Sequence, residues 1–240
     1  MSGKYGRKLK TIAFDADDTL WQNESFFRLT QDRFAELLKD YAEADHLEDR
    51  LLAAERRNIG HYGFGVKGFT LSMIETAIEV TEERVPARVI RELIEAGQDM
   101  LAHPIHLLDG VQDVLKAIAP DYNLMLITKG DLLDQERKLA QSGLGDFFDA
   151  AEIVSDKNTQ TYGDIFQRHG CDPAETVMIG NSVKSDVIPP IEAGAWGIWI
   201  PYGVTWALEE AESPTHHPCY LELHCMTELP QALRTIQAKQ

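Results

Sequence analysis

The sequence predicts a doubly wound α/β fold: a Rossmann-like parallel sheet core carrying an inserted α-helical cap domain. Three observations lead there. From residue 104 onward, apolar strands alternate with helices, the pattern of a parallel sheet covered on both faces. A lone apolar strand, TIAF at 11–14, lies far upstream of that alternation. The stretch between Trp21 and His103 is helical in pattern and contains no convincing strand. The core is therefore expected over 1–21 and 104–240, with the cap over 22–103.

TIAF is a short apolar run ending in acids, a buried strand followed by the loop DADDT. Phe27, Phe34, Leu37, Leu38 and Tyr41 then recur at helical spacing. His46 to Arg57 gives a second helix, with Leu47, Leu51 and Ala54 as its stripe. Glycines at 60, 63, 65 and 68 predict a loop over 58–69. Helices follow near 70–81 and 86–102, with Pro86 suited to a first turn. Ile90, Leu93, Ile94, Gly97 and Leu101 line the latter. Beyond 104 the expected order is helix 110–119, strand 123–128, helix 132–142, strand 151–154, helix 160–169 and strand 176–179. A Pro189–Pro190 helix that starts or kinks there, strand 197–200, a last strand near 221–223 and a terminal helix marked by Leu229, Leu233 and Ile236 complete the chain.

The chain has 240 residues, enough for one large domain or a domain with an insertion. Its 23 lysines and arginines against 39 aspartates and glutamates give a net charge of −16. That field opposes binding to nucleic acid or to an anionic membrane surface. The basic start MSGKYGRKLK is followed by an apolar run that stops at Asp15, short of the roughly 7–15 residues of a signal peptide. No window approaches the roughly 18 apolar residues of a membrane span. Cys171, Cys219 and Cys225 are few and odd in number, which suits a reducing cytoplasm. His216, His217, Cys219, His224 and Cys225 fit no standard zinc spacing. Nothing in the sequence specifies an oligomeric state.

Four strand ends carry polar residues of unusual type. The first gives Asp15, Asp17 and Thr19, and the second gives Thr128. The loop after the third gives Lys157, and the fourth gives Gly180, Asn181, Ser182 and Asp186. Ligands of open parallel sheets bind beyond these carboxyl ends. The set suits a phosphoryl group. A carboxylate approaching a phosphate dianion meets repulsion of about 4 kcal/mol per charge pair at ~4 Å and an effective dielectric near 20. Cations must offset it: Lys157 is one source, and a hard divalent ion on oxygen ligands, normally Mg²⁺, is the other. Thr128 adds a hydroxyl donor.

FDADDTLW, LITKGD, Lys157 and IGNSVKSD, in this order, resemble the four motifs of the haloacid dehalogenase-like hydrolase superfamily. The likeness covers about 8–20 and 104–203, and the helical insertion lies where that superfamily places a cap. It implies Asp15 as the nucleophile that forms an aspartyl-phosphate, and Asp17 as the general acid and base. It implies Thr128 and Lys157 as holders of the phosphoryl group. Mg²⁺ would bind the Asp15 carboxylate, the Asp17 main-chain carbonyl and a motif-four residue, Asn181 or Asp186. Many members carry an acid where this chain has Asn181, so a neutral amide replaces a charge and weaker metal binding is expected. Dehalogenases of the superfamily lack an acid at the position of Asp17, so its presence favours phosphate esters. The expected partner is a small phosphorylated metabolite.

Beside that set, Lys129 and Asp131 flank Thr128, and Lys129 is a candidate substrate contact. The 58–69 loop is either a hinge between helices or a specificity loop, in which case His61, Tyr62, Phe64 and Lys67 would touch substrate. A phosphomutase of the same superfamily and a catalytically weak, interaction-type relative are the alternatives to a phosphatase.

Overall fold

The computed structural model describes residues 8–203 and 206–239. It holds a six-stranded, all-parallel sheet: β1 (Thr11–Phe14), β2 (Asn123–Lys129), β3 (Ala150–Val154), β4 (Thr176–Gly180), β5 (Trp196–Trp199) and β6 (Tyr220–Glu222). Their spatial order is β3-β2-β1-β4-β5-β6. The chain builds outward from β1 on one side and then returns to build outward on the other. The crevice between β1 and β4 is therefore the topological switch point, where such sheets bind ligands. Phe14 pairs with Leu126 on one side and Ile179 on the other, so the residues after these three emerge together.

The strands sort their side chains by alternation. Ile12, Phe14, Leu124, Leu126, Val177 and Ile179 pack on one face, against residues of α5 (Val111–Ile118) and α9 (Leu229–Lys239). Ala13, Met125, Ile127 and Met178 pack on the other, against Tyr162, Ile165 and Phe166 of α7 (Thr159–Arg168). With both faces covered, β1 and β4 are buried throughout and are apolar after an opening threonine in each.

The described residues form two compact units. The first comprises 8–22, 105–129, 136–203 and 206–239; the second comprises Asn23–Pro104 and Gly130–Gln135. The second is built from α1 (Glu24–Leu38), α2 (Ala44–Tyr62), α3 (Val66–Val80) and α4 (Ala87–Ala102) around Phe34, Leu38, Leu47, Leu51, Phe69, Met73, Ala77, Val89 and Leu93. The remaining helices are α6 (Leu132–Ser142) and α8 (Ile188–Glu192). Among the described residues, no helix is long and apolar enough to cross a membrane.

The glycine-rich segment corrects the expectation of a loop over 58–69. Helix α2 continues to Tyr62 and α3 begins at Val66, so Gly60 and Gly68 are helical and the connection is three residues. A helical glycine costs only about 1 kcal/mol, which tertiary packing of α2 on α3 offsets. Gly63 and Gly65, with φ of 72° and 114°, make the turn. Pro86 immediately precedes α4 rather than sitting in its first turn.

The helical unit carries a buried acid in its first turn. Burial pushes Glu24 up to about 7 from 4.5; Arg28 draws it back and Glu55 pushes it further up. The folded state thus holds this proton more tightly than the unfolded chain. Its charge costs stability progressively as pH rises from about 4.5 to about 7. Glu24→Gln is expected to raise unfolding free energy by about 2–3 kcal/mol near pH 8 and by little near pH 4. Urea denaturation at the two pH values checks this; an equal effect at both would contradict it.

Candidate active site

Asp15 is the first residue beyond β1, and its amide extends the ladder by donating to the Ile179 carbonyl at 2.8 Å. The chain then turns sharply. The amides of Thr19, Leu20 and Trp21 lie 3.2, 2.8 and 3.4 Å from the Ala16 carbonyl, and the Asp18 amide donates to the Trp21 carbonyl at 2.7 Å. Asp18 itself takes a φ of 58°, which a short polar side chain tolerates.

At the end of β4, Gly180 allows a close approach. A Cβ there would fall 2.2 Å from Asp186 Oδ2, so only a glycine leaves room for that carboxylate. Asp186 sits in a single turn of π-helix over Val183–Val187. Ser182 opens the turn: its hydroxyl accepts the Ser185 amide at 3.1 Å, and its own amide donates to Asp186 Oδ2 at 3.0 Å. The buried Tyr162 hydroxyl donates to the Ser185 carbonyl at 2.9 Å.

Lys157, between β3 and α7, joins the two strand ends. Its ammonium donates to Asp15 Oδ1 and, at 2.7 Å, to Asp186 Oδ1. The Lys157 and Asp186 side chains are each 1% exposed. Burial alone would lower the Lys157 pKa, but Asp15 and Asp186 outweigh it and keep the ammonium above its ordinary range. Asp15 is pushed up to about 7, chiefly by burial, with Lys157 pulling down and Asp186 and Asp17 adding to the push. Two buried carboxylates thus share one ammonium.

This donor set suits a hard divalent cation. It is short of positive charge, and its donors are oxygens. Among the described residues, no three His, Cys, Asp or Glu side chains converge as a metal cage. A cation here would draw on Asp15 and Asp186 together with neutral oxygens. Asn181 is beside them: the Thr19 hydroxyl lies 3.2 Å from Asn181 Oδ1 and 3.3 Å from Asp15 Oδ2, and accepts the Asn181 amide at 3.1 Å. The Asn181 carbonyl accepts the Trp199 indole at 2.8 Å.

The other sequence candidates fall in three places. Thr128 is buried near the end of β2, two residues beyond the partner of Phe14. The Asp17 carboxylate accepts the Trp21 indole N–H at 2.7 Å and the Lys138 ammonium at 3.0 and 3.1 Å. Tyr62 and Lys67 belong to the helical unit, where Tyr62 is exposed and Lys67 pairs with Asp131 at 2.8 Å. Lys129 is bound to Glu209 and donates to Ser185 Oγ at 2.8 Å.

Sequence reasoning missed Lys138 and Glu209. Glu209 accepts the hydroxyls of Ser182 and Ser185 as well as Lys129, tying the end of β2 to the turn after β4. Burial would raise its pKa, but Lys129 and the two serines hold it below the ordinary glutamate value. It lies in a short helical turn, Ala207–Glu209, which no local pattern marks as part of a site.

The family model for haloacid dehalogenase-like hydrolases matches residues 9–194. The chain belongs to the haloacid dehalogenase-like hydrolases. A solved haloacid dehalogenase-like family hydrolase from Xanthomonas campestris is 41% identical, with a TM-score of 0.88 over 98% of this chain and 94% of that one. A glyceraldehyde 3-phosphate phosphatase of Methanothermobacter thermautotrophicus is 24% identical, covering 80% of this chain and 85% of the relative. A pyrimidine 5'-nucleotidase of Escherichia coli is 25% identical over 79% and 84%. In this haloacid dehalogenase-like hydrolase, Asp15, Asp17, Thr128, Lys138, Lys157 and Asp186 all fall inside the matched region, and Glu209 falls outside it.

Proposed function

We propose that this hydrolase is a Mg²⁺-dependent phosphatase that cleaves small phosphorylated metabolites through an aspartyl-phosphate on Asp15. The observation that supports this best is the meeting of Asp15 and Asp186 on buried Lys157 at the sheet's switch point, with a second acid two residues on. The names of the two curated relatives, both phosphate-ester hydrolases, point the same way.

In the first step an Asp15 carboxylate oxygen attacks phosphorus, the bond to the ester oxygen breaks, and Asp17 gives that oxygen its proton. In the second, Asp17 takes a proton from water, the water oxygen attacks phosphorus, and the Asp15–phosphorus bond breaks to release inorganic phosphate. Lys157 and Thr128 hold the transferring group by charge and hydrogen bond. Mg²⁺ would bind the carboxylates of Asp15 and Asp186, the Asp17 carbonyl and the Asn181 amide oxygen, where it would neutralise charge on the phosphoryl oxygens. Asp186 is the acidic ligand in this assignment, since it shares Lys157 with Asp15. The helical unit would act as the cap that selects the leaving group, with Tyr62 and Lys67 as candidate contacts and Lys129 as a further one.

Purified protein with Mg²⁺ is expected to release inorganic phosphate from an aryl phosphate, and from some members of a panel of phosphorylated metabolites. Phosphate should appear in proportion to substrate consumed. Isomerised phosphate ester without free phosphate would indicate a phosphomutase instead. A folded protein that turns over nothing in the panel would contradict the assignment.

A further inference from the structure

The start of helix α6 reverses the usual patterning, while Leu139 further along packs against the sheet core. Asp134, Gln135 and Lys138, within one helical face, are buried, while Leu132 and Leu133 are 59% and 69% exposed. Burying a lysine is costly unless its charge is paired. Here the pairing falls on one residue of the site: the Lys138 ammonium donates to both Asp17 oxygens, at 3.0 and 3.1 Å. The Trp21 indole adds a third bond to Oδ1 at 2.7 Å from a different element. Trp21 is itself 1% exposed, and its backbone bridges to both Asp17 and Leu107, so that donor is fixed.

We propose that Lys138 is a positioning residue, which together with Trp21 fixes the orientation of the Asp17 carboxylate for proton transfer to the leaving group. The inference rests on the phosphatase reading, in which Asp17 is the acid. Donors on both oxygens define the plane of a carboxylate, and a donor on a rigid helix defines its depth. Proton transfer is sensitive to small errors in that placement. Lys138 acts through Asp17 and not on substrate, which is why its effect has a chemical signature. A leaving group that departs readily as an anion needs little help from an acid, and an alkoxide needs much. Misplacing Asp17 must therefore slow the first step of alkyl phosphates selectively, whereas its effect on the water attack is common to every substrate.

The test compares kcat/KM for glycerol phosphate and dinitrophenyl phosphate, both with Mg²⁺, because that constant ends at departure of the leaving group and leaves out the water attack in which Asp17 is the base. Asp17→Asn is the reference and should slow glycerol phosphate at least about 10²-fold more than dinitrophenyl phosphate. Lys138→Met should show the same selectivity at a smaller scale, roughly ten-fold in kcat/KM, and Lys138→Arg should restore most of it. Trp21→Phe, which removes only one N–H from Asp17, should reproduce the selectivity and serves if Lys138→Met does not fold. Equal loss of kcat/KM on both substrates in the Lys138 and Trp21 variants, or no loss, would overturn the positioning role while leaving Asp17 as the acid. Absence of selectivity in Asp17→Asn would overturn the acid assignment and the positioning role with it.

Discussion

Asp15→Asn is expected to abolish phosphate release, with kcat falling by roughly 10⁴–10⁶-fold, as removal of a covalent nucleophile does elsewhere. The substitution keeps the side chain's shape and removes its charge. Lys157 retains its bond to Asp186, so no buried ammonium is stranded. The variant should fold and still bind substrate, which separates a chemical loss from a structural one. Circular dichroism and a steady-state phosphate assay together check this. An Asp15→Asn protein as active as the parent would show that another group attacks phosphorus.

Lys157→Met is expected to damage both stability and activity. The ammonium is 1% exposed and bonded to two carboxylates. Removing one partner of a buried ion pair typically costs about 3–5 kcal/mol, because the remaining charge is left uncompensated. Here two carboxylates would face each other without it. If Lys157 holds the transferring group as proposed, activity should fall at least about 10²-fold. Added Mg²⁺ should return more stability to Lys157→Met than to the parent, since it replaces part of the missing charge. Urea titrations with chelator and with Mg²⁺ measure all of this. A variant as stable as the parent in chelator would contradict the electrostatic account of the site.

The parts of the site that could be read from sequence are those that local rules place. A strand end fixes where Asp15, Thr128 and Asn181 emerge, and sheet order then gathers residues distant in the chain. Asp186 and Lys157 could be named because each follows a strand by a short, recognisable turn or loop. Lys138 was hidden because apolar patterning assumes that leucines point inward, and α6 reverses this at Leu132 and Leu133. A polar stripe at 134, 135 and 138 behind the leucine pair that opens the helix was the available signal. Glu209 had none, since its place depends on the path of the chain beyond β5. The 58–69 segment misled for an energetic reason: glycine weakens a helix by too little to end one that packs well, and only Gly63 and Gly65 adopt the backbone that stops it.

The proposed covalent step can be tested directly. Quenching the enzyme in acid during turnover, reducing with borohydride and mapping peptides by mass spectrometry should find homoserine at position 15, the reduction product of an aspartyl-phosphate. Reduction at another residue, or a fully unmodified chain during active phosphate release, would contradict attack by Asp15.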